Sequence, residues 1–126
     1  MKQIIGREDP LYVWIPAMIW ASIVFFFSVL PVHEGLFFRI NYFDKAMHFF
    51  EFAVLAFILS RTFRRVGVEP RAAVAFTLIL TLLYGILLEL VQDLIPGRTP
   101  SFGDVLANLS GAAAGLYLWK AVLWRK

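Results

Sequence analysis

The amino-acid sequence predicts an all-α integral membrane protein, a four-helix bundle with both termini in the cytoplasm. Three observations carry that expectation. Composition comes first: 60% of the 126 residues are apolar and 17% are charged, with a mean hydropathy of +0.74. A chain this short has too little interior to hide so much apolar surface from water, so the solvent for much of it is lipid. Spacing comes second: four apolar runs near the roughly 20 residues that cross a bilayer are separated by turn-forming joints. The third is an asymmetry of positive charge between the two ends of those runs. Length bounds the chain to one domain, residues 1–126.

The first predicted span runs from Leu11 to Leu30 and contains no charged residue. Pro16 lies near its start, where neighbouring helices can satisfy the carbonyl it frees. Glu8 and Asp9 precede the run and no small-residue cleavage site follows it, so an uncleaved span is expected rather than a signal peptide. Asp44 to Ser60 forms the second span, Ala72 to Ile95 the third and Val105 to Trp124 the fourth. Pro31, the segment Arg61 to Arg71 with Gly67 and Pro70, and the run PGRTPSFG mark the joints.

Lys and Arg then orient the bundle. Four spans place the N-terminus, the middle loop and the C-terminus on one side. That side carries nine of the twelve cations, namely Lys2, Arg7, Arg61, Arg64, Arg65, Arg71, Lys120, Arg125 and Lys126. Arg39, Lys45 and Arg98 are left for the other side. Cytoplasmic loops are the ones enriched in Lys and Arg, so both termini are expected inside a bacterial cytoplasmic membrane. The net charge of +3 thereby reads as a topology signal, and its scattered sources exclude a nucleic-acid partner. The chain has no cysteine, which excludes disulfides, thiolate metal sites and cysteine nucleophiles.

Ionisable residues cluster at the predicted outer end. At 100° per residue, Asp44, His48, Glu51 and Leu55 fall within about 60° on the second helix, flanked by Lys45 and Phe52. Gly85, Glu89 and Gln92 share a stripe on the third helix. Asp104, Asn108, Gly111 and Gly115 share one on the fourth. Charge inside a bilayer is expensive enough to turn inward, pair and mark a site. The three stripes are therefore expected to meet in one outward-opening pocket.

His48 and Glu89 are the candidate proton-handling pair of that pocket. Lys45, Glu51, Gln92, Arg98, Asp104 and Asn108 are the candidate ligand-binding residues. Arg98 follows a Pro96–Gly97 turn, where a planar guanidinium can clamp a phosphate or carboxylate. His48, Glu51, Glu89 and Asp104 form a hard-metal ligand set without a strict metal motif, so no metal or other cofactor is assigned. Ser101-x-x-Asp104 and Asn41-x-x-Asp44 also have the spacing of capping pairs, an alternative role for both acids. Gly111-x-x-x-Gly115 is a close-packing motif, within the bundle or between two copies of the chain.

These residues resemble the VanZ-like family of small bacterial membrane proteins. The resemblance lies in Lys45-x-x-His48-Phe49-x-x-Phe52, Glu89-x-x-Gln92, Pro96-Gly97-Arg98 and Asp104-x-x-x-Asn108-x-x-Gly111-x-x-x-Gly115, with Ser28-x-x-Pro31 ending the first span. It implies a multi-pass membrane protein whose functional set is Lys45, His48, Glu89, Gln92, Arg98, Asp104 and Asn108. Glu51 joins that set on helix geometry alone. The resemblance also implies a link to tolerance of the lipoglycopeptide teicoplanin. Three functions remain open at this point. The pocket binds an anionic envelope ligand, such as a lipid-linked precursor, a phospholipid head group or a peptide carboxylate. Alternatively, it hydrolyses or transfers lipid head groups by acid–base chemistry. In the third, the polar residues are interhelical glue among membrane lipids.

Overall fold

The computed structural model describes residues 9–30, 41–96 and 101–123, and these form four α-helices with no strand among them. Helix α1 spans Pro10–Val29, α2 Asn41–Arg65, α3 Pro70–Asp93 and α4 Phe102–Leu123. Each start has a local cause. The Asp9 carboxylate accepts from Leu11 N at 3.2 Å and Pro10 opens α1 with its fixed φ. Glu69 does the same for α3, accepting from Ala72 N at 3.2 Å ahead of Pro70. Between α2 and α3 the chain reverses at Gly67, whose φ of 91° lies in the left-handed region open to glycine.

The sequence ends the second span at Ser60, but α2 continues to Arg65. Thr62 and Phe63 are buried while Arg61, Arg64 and Arg65 are exposed, so the last turn and a half is amphipathic. Arginines at a helix C-terminus also face its negative end, which favours another helical turn over a loop.

The helices run antiparallel in sequence order. Helix α1 packs on α2 and α3, and among the described residues it does not reach α4. Helices α2 and α4 are the tightly joined pair. Gly111 and Gly115 are buried against the α2 backbone, where an added Cβ would fall on the carbonyl oxygens of Phe49 and Ala53. Glycine is what allows backbone contact this close. The packing motif is thus used inside the chain.

Helices α1, α2 and α3 are long and apolar enough to cross a membrane. At 22 residues α4 is about 33 Å long, enough to match a hydrocarbon core of about 30 Å. It falls outside those three in apolarity, and its buried face carries polar and small residues (Asp104, Asn108, Gly111, Ala112 and Gly115) before Leu116 and Trp119. That face meets protein rather than lipid. Outward-facing residues elsewhere are large and apolar, among them Phe26, Phe27, Phe50, Ile79, Leu83 and Leu90. Trp119, near the end of α4, turns into the bundle and is buried.

Candidate functional site

Helices α2, α3 and α4 bring their polar stripes together at the end of the bundle away from Gly67. His48, Glu51, Glu89, Gln92, Asp104 and Asn108 are all buried there. The glycine at position 85 makes the approach of α3 and α4 possible, because a Cβ there would stand 3.2 Å from Asn108 Nδ2. Gly103 clears a path for Lys45 in the same way, since a Cβ would meet its Cε at 2.7 Å.

His48 lies between two carboxylates of its own helix. Its Nε2 is 3.8 Å from Asp44 Oδ2 and its Nδ1 is 3.9 Å from Glu51 Oε2. Both separations exceed hydrogen-bond length and are short enough for strong electrostatic coupling. Lys45 reaches across to α4, with Nζ 3.7 Å from Asp104 Oδ1. Its side chain is half-exposed while that of Asp104 is buried, so the pair lies at the mouth of the cluster.

Glu89 has a role the sequence did not disclose. Its Oε2 accepts from the backbone N of Ser101 at 3.4 Å. In a capping box that N–H would belong to the acid three residues later, here Asp104. Ser101 Oγ meanwhile accepts from Gly103 N at 3.1 Å. Glu89 therefore supplies from α3 the acceptor that α4 would otherwise draw from Asp104. Asp104 is left to face Lys45 and His48, so of the two roles open to it in sequence the Ser101 N–H goes to Glu89 instead. Gln92 donates to the Ser28 carbonyl at 3.3 Å and ties the same end of α3 to α1. Trp20 Nε1 donates to the Glu51 carbonyl at 2.9 Å and ties α1 to α2.

Several polar atoms of the cluster find no protein partner. His48 Nδ1, Glu89 Oε1, Asp104 Oδ1, Asn108 Nδ2 and Asn108 Oδ1 are buried with no hydrogen-bond partner among the described residues. A buried group left so costs about 1–3 kcal/mol, and native interiors hold few of them. Here they lie on one turn or two of three facing helices.

Of the residues singled out by sequence, Lys45, His48, Glu51, Glu89, Gln92, Asp104 and Asn108 come together, while Arg98 lies outside the described residues. Asp44, read from sequence chiefly as a cap, joins them: its carboxylate, the His48 imidazole and the Asp104 carboxylate place one ligand atom each within 4.8 Å of one another. Helical phase had put Asp44 on the His48 face; no spacing rule could have paired it with Asp104. The described cluster is rich in carboxylates (Asp44, Glu51, Glu89 and Asp104), set against Lys45 and His48. Such a set can exchange protons, hold a cation, or accept from hydroxyl and ammonium donors.

A family model described as VanZ/LLP1 matches residues 11–125. Neither the curated proteins nor the solved structures gave a significant match. The match spans nearly the whole chain, which belongs to the VanZ/LLP1 family.

Proposed function

We propose that this VanZ/LLP1 membrane protein binds the polar head group of a cell-envelope lipid or precursor in the cluster between α2, α3 and α4, on the extracytoplasmic side. The observation that carries this is the set of five buried polar atoms on His48, Glu89, Asp104 and Asn108 that have no hydrogen-bond partner among the described residues. Interhelical glue would pair those atoms with one another; a binding site keeps them for a ligand. Three of the five, on Glu89, Asp104 and Asn108, are acceptor oxygens, so the head group offers hydroxyl or ammonium donors. Its phosphate or carboxylate lies toward Lys45 at the mouth, with Arg98 on the adjoining loop as second cation. Tolerance of a glycopeptide antibiotic would follow if holding such a head group altered the surface target the drug recognises.

Lipid mass spectrometry on the purified protein tests the reading, wild type against Asn108→Leu and Arg98→Ala. Wild type should retain a defined head-group class that both variants lose while staying folded. Retention of bulk lipid alone, in all three proteins, overturns it. The side of the membrane is tested separately. The asymmetry of nine cations against three supports a cluster outside and the Gly67 loop inside. The chain lacks native cysteine, so Thr99→Cys should label from outside intact cells and Val68→Cys only after permeabilisation. The reverse pattern excludes any envelope-side role.

A further inference from the structure

We propose that Asp44, His48 and Asp104 form a divalent-cation site at the mouth of the cluster. Their ligand atoms, two carboxylate oxygens and one imidazole nitrogen, lie within 4.8 Å of one another and come from two helices. A cation held about 2.1 Å from each in tetrahedral order needs those atoms about 3.4 Å apart. The 3.8 Å between His48 Nε2 and Asp44 Oδ2, and the separations of up to 4.8 Å within the set, close to that by rotation of the Asp44 and Asp104 carboxylates. Mixed nitrogen and oxygen donors of this kind suit Zn2+ or Mn2+.

Two further features point to a ligand rather than to a chance meeting of acids. Asp104 is 5% exposed, and its Oδ1 has no hydrogen-bond partner among the described residues. The cation facing it among the described residues, Lys45 Nζ, stands off at 3.7 Å on a side chain 42% exposed, so it can swing out to admit a metal. The second is charge balance. Asp44, Glu89 and Asp104 are set against Lys45 and His48 among the described residues. A divalent cation offsets that excess in a medium where uncompensated charge is costly.

Three protein ligands also leave coordination positions open, as in catalytic rather than structural metal sites. A phosphate or carboxylate oxygen can fill one, which explains how an acid-rich cluster accepts an anionic head group. That last step rests on the proposed function. Cation binding itself does not, and it is measured without any head group.

The experiment uses the purified full chain in detergent, stripped with chelator and titrated with Mn2+ alone or Zn2+ alone. Free Mn2+ is read by electron paramagnetic resonance and Zn2+ by competition with a chromophoric chelator. Wild type should take up one equivalent. Asp104→Asn and His48→Gln should each weaken binding by more than about tenfold, whereas Asp93→Asn, an exposed acid at the same end of α3, should not. Lys45→Met should bind at least as tightly as wild type, because it removes the competing ammonium. If Asp104→Asn fails to fold, Asp44→Asn, altered at a half-exposed carboxylate, carries the same expected loss. No saturable uptake by wild type overturns the proposal. So does uptake unchanged by the ligand variants, or weakened by Lys45→Met. A chain that binds the cation yet retains no head group fails the proposed function and leaves the cation site standing.

Discussion

The two ends of this bundle bury polar residues in comparable number and treat them in opposite ways. Toward the Gly67 loop, Ser60, Thr62, Thr77 and Thr81 are all buried beside an apolar cluster of Ala17, Leu55, Leu59, Phe63 and Ala73. All four hydroxyls are bonded. Ser60 donates to Ala56 O at 2.8 Å, Thr81 to Thr77 O at 2.8 Å and Thr62 to Val13 O at 3.3 Å, while Ser60 and Thr77 share a bond at 3.2 Å. At the far end five buried atoms have no such partner among the described residues. A short hydroxyl can close on the carbonyl one turn back in its own helix, which makes it nearly self-sufficient in lipid. A carboxylate is acceptor-only and cannot bond to a carbonyl, so it must look outside its helix for a donor. The first end is complete in itself, and the second leaves buried polar atoms that, under the proposed function, a ligand fills.

The largest expected effect breaks both ends together. Gly115→Val should lower stability by about 3 kcal/mol, because its side chain has to enter the Ala53 backbone and force α4 off α2. Ala113→Val, on the exposed face of α4 two residues earlier, should stay within about 0.5 kcal/mol of wild type. Thermal unfolding in detergent measures both. A Gly115→Val protein as stable as wild type would mean that the α2–α4 seam is looser than described, and with it the cluster that the seam assembles.

Sequence reading located the polar end well and its internal wiring poorly, for a physical reason. Helical phase is a local property, so the stripes through His48 and Glu51, Glu89 and Gln92, and Asp104 and Asn108 could be read from residue spacing. Which stripe atom meets which is set by how three helices rotate against one another, and that depends on contacts distant in sequence. Glu89 taking the Ser101 N–H is one case: local spacing assigned that N–H to Asp104, three residues on, although an acid twelve residues earlier holds it. The meeting of Asp44 with Asp104 is another, since nothing in either segment specifies the other. The end of α2 was misread for a different reason. Three arginines in five residues look like loop, and only burial of Thr62 and Phe63 between them shows a helix still packing.

The contrast between the two ends is sharpest in a matched pair of substitutions that each replace a buried polar side chain with an apolar one of similar shape. Thr77→Val removes a hydroxyl that is bonded, so the usual net value of a hydrogen bond is lost, about 1 kcal/mol. Ser60 retains its bond to Ala56 O, which limits the damage. Asn108→Leu removes two atoms that have no partner among the described residues and so removes a desolvation penalty with them. Stability should hold or rise by up to about 1 kcal/mol, while head-group retention falls. Opposite signs in the two unfolding midpoints are therefore the expected outcome. Equal losses would mean that Asn108 is held by the protein as firmly as Thr77 is, and that the polar end is ordinary packing rather than a site held open for a ligand.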